Sequence, residues 1–217
     1  ETTAIIGTSG SGKSTLVNLI PRFFDATGGA VLVDGVDVRQ LEQKQLRDKI
    51  GFVPQKALLF RGTIRENIAY GKPDATDLEI LEAAQTAQAL DFIQQKPGGL
   101  EALVAQLGQN FSGGQKQRLS IARALVRKPE IYIFDDSFSA LDAKTDAALR
   151  AALKRTTQDA TVLIVAQKVS TILDADRIIV LDGGGCVGMG THRDLLQSCP
   201  VYQEIVYSQM PAEEVGA

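Results

Sequence analysis

Six short apolar runs punctuate the chain: TAIIG (3–7), AVLVDG (30–35), KIGFVPQ (49–55), EIYIFD (130–135), ATVLIVA (160–166) and RIIVLD (177–182). They run continuously rather than alternating with polar residues, which is the pattern of strands buried on both faces. Between them, over 13–23, 143–156 and 169–174, the pattern turns helical. Strand and helix in alternation predict an α/β fold around a mostly parallel sheet flanked by helices. From 73 to 127 the alternation stops, because LEILEAAQTAQALDFI and GGQKQRLSIARALVRK both carry apolar residues at three- and four-residue spacing. The expectation is an inserted helical lobe over 73–127, with 1–72 and 128–217 forming the core. The three glycines at 183–185 predict a tight turn, and 195–209 a closing helix.

The first run leads into GTSGSGKS (7–14), which matches G-x-x-x-x-G-K-[ST] after a strand and before a helix. Gly7, Gly10 and Gly12 let the backbone around Thr8, Ser9 and Ser11 fold closely enough for its N–H groups to cradle an anion. The helix that starts at Lys13, Ser14 and Thr15 adds its dipole. Lys13 is expected on the β- and γ-phosphates of a nucleotide, and the Ser14 hydroxyl on Mg²⁺. This predicts a P-loop NTPase core. In IYIFDD the first carboxylate, Asp135, ends a strand, where it suits Mg²⁺ beside Ser14. A second anion site is expected at NFSGGQKQRLSIARAL (110–125), where Ser112, Gly113, Gly114 and Gln115 open a helix.

Composition narrows the classes. At 217 residues and 44% hydrophobic the chain buries the core of one domain, or of a domain with a smaller inserted lobe. Twenty-three basic residues against 26 acidic ones leave a net charge of -3 and no bulk positive field, so no nucleic-acid partner is expected. Cys186 and Cys199 form neither a metal pair nor a disulfide framework, which favours a reducing cytosolic setting. No run approaches about 18 apolar residues, so no membrane span or signal peptide is read here. The chain opens on Glu1, directly before a strand, and reads as an N-terminally truncated piece of a longer protein.

With SGGQ at 112–115 the chain resembles the ATP-binding cassette family, and further motifs follow in the family's order. Gln55 in FVPQ matches its Q-loop, 131–135 its Walker B strand, and SALD (139–142) its D-loop, with Asp142 expected to cap a helix. The resemblance implies an ATPase using ATP and Mg²⁺, with Gln55 serving both metal and catalysis. FRGTIRENIAYG (60–71) is similar to the exporter segment that receives helices from the membrane-spanning domain. It also implies a second nucleotide-binding domain as partner, paired head to tail so that each phosphate loop faces the other subunit's SGGQ. The membrane-spanning domains would lie outside this chain. The piece itself is expected to be soluble and to sit at the cytoplasmic face of the cell membrane as part of the transporter. The family's adenine-stacking aromatic precedes the first strand seen here, so weak nucleotide binding is expected from this piece alone.

Two positions depart from the pattern. Active members carry a glutamate after the Walker B aspartate, where this chain has Asp136, one methylene shorter. The family's switch histidine is replaced by Gln167, whose amide does not titrate near neutral pH. The one histidine, His192, is expected at a helix cap or the surface. Both substitutions fall on the Walker side while SGGQ is intact, so the expectation is the degenerate-site half of a heterodimer, binding ATP durably and hydrolysing it slowly. The alternatives are a competent homodimeric exporter with Asp136 as base, a purely regulatory ATP-binding subunit, or a soluble non-transport member. A P-loop kinase or GTPase shares the phosphate loop, but SGGQ argues against it.

Overall fold

The computed structural model describes residues 1–210. Strand β1 (Thr2–Gly7) leads through the glycine loop into α1 (Lys13–Asn18), followed by a hairpin of β2 (Leu32–Val33) and β3 (Val36–Asp37). Helix α2 (Gln43–Asp48) precedes β4 (Ile50–Val53). The middle of the chain holds β5 (Gly62–Thr63), α3 (Ile64–Ala69), α4 (Asp77–Thr86), α5 (Leu90–Gln95), β6 (Leu103–Val104) and α6 (Gly113–Leu125). The return to the core supplies β7 (Ile131–Asp135), α7 (Ala143–Thr156), β8 (Thr161–Val165), β9 (Arg177–Asp182) and β10 (Gly185–Gly190). Two helices close it, α8 (His192–Ser198) and α9 (Pro200–Gln209).

The main sheet runs β10-β9-β1-β8-β7-β4, parallel throughout except for β10 at one edge. Its strands are buried on both faces, as their continuous apolar runs predict. Ala4, Ile6, Tyr132, Phe134, Ile164 and Val180 face a core shared with Leu119 and Ile121 of α6, Leu149 of α7 and Tyr202 of α9. Ile5, Ile133, Val165 and Leu181 face the other way, against Val17 of α1, Val33 of the hairpin and Leu46 of α2. Residue pairing sets Ile5 and Asp135 both opposite Val165, so the carboxyl ends of β1, β8 and β7 finish together. In open α/β sheets that edge is where ligands sit.

The departures from the expected elements have local causes. AVLVDG is not a core strand: Asp34 (φ 52°) and Gly35 (φ 78°) turn it into the β2–β3 hairpin outside the main sheet, a turn that Asp-Gly favours. Helix α1 stops at Asn18, well short of residue 23, because Pro21 cannot continue the ladder. The 169–174 stretch is a single 3₁₀ turn, Val169–Thr171. The predicted closing helix is two helices divided at Cys199 and Pro200. Only Gly183 and Gly184 form the expected turn; Gly185 already begins β10, a strand whose glycine-rich sequence hid it. Among the described residues no helix is long and apolar enough to cross a membrane, and both cysteines are free thiols.

In the middle of the chain α6 is the hub, packing against α3, α4 and β4. Arg123 on α6 organises the loop before α3: its Nε donates to Asn67 O (2.8 Å), Nη1 to Leu58 O (2.9 Å) and Nη2 to Asn67 Oδ1 (2.9 Å). The guanidinium also lies over the Phe60 and Tyr70 rings. Burial pulls its pKa down to about 10. Arg123→Met leaves those carbonyls without their donor, so we expect it to destabilise the fold by about 2–4 kcal/mol in chemical denaturation. An unchanged midpoint would show that the loop is held by its ring contacts instead.

Candidate functional site

The glycine loop is shaped by close approach and by handedness. A Cβ on Gly7 would stand 2.0 Å from the Leu181 carbonyl oxygen, so the turn out of β1 admits no side chain. Gly10 (φ 74°) and Gly12 (φ 93°) occupy the left-handed region that turns the loop's amides inward. Thr8 Oγ1 donates to Asp182 Oδ1 (2.8 Å), which ties the loop to the end of β9. Lys13 folds back over the loop, its Nζ donating to Gly7 O (3.0 Å), Thr8 O (2.8 Å) and Ser11 Oγ (3.4 Å). Burial lowers its pKa, against the opposing pull of Asp136 and Asp135 nearby.

The two aspartates at the end of β7 are both buried, and the structure separates their surroundings. Asp135 Oδ1 accepts the Ser14 hydroxyl at 2.9 Å, as their expected pairing requires. Burial pushes the Asp135 carboxyl up, the Ser14 bond draws it down, Asp136 adds to the rise and Lys13 opposes it. The donor set of one hydroxyl and one under-compensated carboxylate is hard oxygen, of the kind Mg²⁺ takes when phosphate oxygens and water complete its shell.

Asp136 stands in the left-handed region (φ 47°), with its N–H donating to Val165 O at 2.9 Å. Its Oδ2 accepts two amides at once, from Gln55 Nε2 (2.9 Å) and Gln167 Nε2 (2.7 Å). Gln55, which the resemblance sets on the metal and in catalysis, donates its amide nitrogen to Asp136; a metal would take its carbonyl oxygen. Ser137 and Ser139 fix the turn behind, donating to Val53 O (2.9 Å) and Asp136 O (2.9 Å) respectively.

SGGQ lies apart from the glycine loop, at the exposed start of α6. Ser112 Oγ accepts from Gln115 N (3.2 Å) and Gln115 Oε1 accepts from Ser112 N (3.1 Å), a reciprocal cap. A Cβ on Gly114 would meet Ala140 O at 3.1 Å, which sets SGGQ directly beside SALD. Asp142 caps α7 as expected, accepting from Thr145 N (2.9 Å) and Thr145 Oγ1 (2.7 Å). His192 is at the start of α8, with Nδ1 2.8 Å from the Tyr202 hydroxyl.

Two tethers escaped the sequence reading. Gln117, buried on α6, donates through Nε2 to Pro54 O (3.1 Å) and so joins the SGGQ helix to the Gln55 loop. Its signal was a glutamine on the helix's apolar face, one turn before Ile121. Asp182, which holds Thr8, carried no signal beyond its place after an apolar run.

The profile of the ABC transporter family matches residues 1–139. The chain is 52% identical, over 99% of its length, to an uncharacterised ABC transporter ATP-binding protein of Mycobacterium tuberculosis, of which it covers 37%. It is 47% identical, over 94% of its length, to the Bacillus subtilis "Putative multidrug export ATP-binding/permease protein YgaD", of which it covers 35%. Among solved structures, a bacterial Atm1-family ABC exporter with ATP bound superposes with a TM-score of 0.92 at 42% identity, covering 94% of this chain and 36% of that one. The chain thus spans little more than a third of the length of these relatives.

Gly7→Ala forces its Cβ against a backbone oxygen that cannot swing aside. Thermal unfolding should show a loss of about 1–3 kcal/mol, and an unaltered melting curve would mean the loop has freedom to move away from β9.

Proposed function

The chain belongs to the ABC transporter family, and from that premise we propose that it is the ATP-binding and ATP-hydrolysing domain of a multidrug-type exporter. The observation that carries the reading is the convergence, at the carboxyl ends of β1, β7 and β8, of a phosphate loop, a Ser14–Asp135 pair and a second carboxylate held by two amides. In this reading 73–127 is the helical subdomain and the remainder the ATPase core.

The residues divide the work. The backbone N–H groups from Gly7 to Ser14, with Thr15 behind them, cradle the phosphates, and Lys13 leaves the Gly7 and Thr8 carbonyls to neutralise the β- and γ-phosphate oxygens. Ser14 and Asp135 would hold Mg²⁺, with the Gln55 carbonyl oxygen as a further ligand. Mg²⁺ supplies neutralisation of charge on the phosphate oxygens. Asp136 accepts the proton of the attacking water, and Gln167 contacts the γ-phosphate through its amide. Ser112, Gly113, Gly114 and Gln115 open a helix, the first two exposed and the others half-buried, and serve the phosphates of a second nucleotide-binding domain paired head to tail.

Turnover at this chain's own site is slow in this proposal. Asp136 is one methylene short, and a misplacement of about 1 Å can cost on the order of 100-fold. The SGGQ surface carries no such handicap, which supports an asymmetric heterodimer whose other site is the faster. The second reading, a competent homodimer with Asp136 as base, is favoured by both amides falling on Oδ2 alone, leaving Oδ1 to meet water. The membrane-spanning partner docks on the loop that Arg123 organises, where Leu58, Phe60 and Tyr70 are exposed. The domain then works at the cytoplasmic face of the membrane.

In the full-length transporter reconstituted in vesicles, with the second phosphate loop silenced so that only this chain's own site turns over, Lys13→Ala should abolish Mg²⁺-dependent ATP hydrolysis, and Asp136→Glu with Gln167→His should accelerate it by on the order of 100-fold. If the unaltered protein is already as fast as the double variant, Asp136 is a competent base and the homodimeric reading replaces the asymmetric one.

A further inference from the structure

Gln167 is itself held in place from an unexpected direction. At the last turn of α9, Gln209 reaches the segment between β8 and the 3₁₀ turn and bonds its backbone twice: Gln209 Nε2 donates to Gln167 O (2.8 Å), and Gln209 Oε1 accepts from Val169 N (2.8 Å). One amide thus satisfies an acceptor and a donor two residues apart, as a paired strand would, and fixes both peptide planes around Lys168. The two sides of this clamp are rigid. Val169 is wholly buried, Ala166 and Thr171 nearly so, and Tyr202 and Val206 anchor α9 in the core. Gln209 itself is exposed.

From Gln209 the chain of contacts runs through the Gln167 backbone to the Gln167 amide, and from there to Asp136 Oδ2 at 2.7 Å. Gln167 follows Ala166, whose N–H is fixed to Ile5 O at 3.0 Å, so β1 sets the approach to Gln167 and Gln209 sets the exit. A glutamine side chain has three rotatable bonds, and its amide finds a fixed carboxylate oxygen reproducibly only if its own Cα is held.

We propose that Gln209 is a positioning residue of the hydrolytic site: it places the Gln167 amide against Asp136 and couples the C-terminal helix to that carboxylate. The inference rests on the reading of Asp136 and Gln167 under Proposed function. Because Gln209 is exposed, its removal should disturb placement far more than folding.

The experiment uses the full-length transporter, with the second phosphate loop silenced so that only this chain's site turns over, carrying Gln209→Leu, which removes both bonds, or Gln209→Glu, which keeps the acceptor for Val169 N–H. Amide hydrogen exchange without nucleotide should be about 10-fold faster at Val169 in Gln209→Leu, near its ordinary rate in Gln209→Glu, and unchanged at Val206 in both. In hydrolysis Gln209→Leu should lower kcat by on the order of 10-fold with KM for Mg²⁺-ATP within about twofold. In a Gln167→Ala background the same substitution should change kcat by less than about twofold, because the residue it acts through is gone. Unchanged exchange at Val169 overturns the clamp, and an equal loss of kcat in both backgrounds overturns the route through Gln167. If the unaltered transporter does not hydrolyse ATP, the reading under Proposed function fails and takes the catalytic role of Gln209 with it, while the exchange result still decides the clamp.

Discussion

Two carboxylates buried side by side at the end of one strand set the terms for everything around them. Asp135 and Asp136 are 6% and 7% exposed, and a charge so far from water is costly unless donors or a cation meet it. The surrounding sequence supplies those partners from three separate places: Lys13 and Ser14 after the glycine loop, Gln55 after β4 and Gln167 after β8. They converge because β1, β7, β8 and β4 are parallel and in register, so each strand delivers its following loop to the same edge. The sheet is therefore a device for concentrating polar groups at one end of an otherwise apolar core. Asp135 remains the less compensated of the two, its carboxyl pushed up by burial, and this is the physical sense in which the site fits a cation.

A second consequence follows from how α6 is tied down. At its start Gly114 touches the Ala140 carbonyl, one turn later Gln117 holds Pro54, and near its end Arg123 gathers Leu58 and Asn67. These three contacts reach the segment before α7, the Gln55 loop and the exposed loop before α3. A shift of α6 as a rigid rod must move all three together, since a helix does not stretch between its first and last turns. On the proposed reading, this is how a change at the phosphate end of the sheet reaches the surface that meets the membrane-spanning partner.

Much of this was legible in sequence. The continuous apolar runs named five of the six main-sheet strands, since burial on both faces leaves little room for polar residues. GTSGSGKS named its own geometry, because each glycine answers a close approach or a left-handed turn. What escaped was decided by a few residues against the local pattern. AVLVDG has a strand's composition, yet Asp34–Gly35 folds it into a hairpin. GCVGMG lacks a strand's composition, yet β9 offers it an edge to pair with. The direction of the Gln55 amide was out of reach altogether, because whether it turns to Asp135 or Asp136 depends on side chains arriving from β7 and β8.

The two departures from the family pattern form one arrangement. The short carboxylate at 136 and the flexible glutamine at 167 meet directly, Gln167 Nε2 donating to Oδ2 at 2.7 Å. An imidazole there would carry a titrating charge near neutral pH, so its hold on the carboxylate would vary with protonation. The amide is neutral at every pH the protein meets, so its bond to the carboxylate is constant. On the proposed reading, the short Asp136 carboxylate keeps turnover at this site slow even with Gln167 held against it, and the SGGQ of the same chain remains fit to complete a faster site elsewhere.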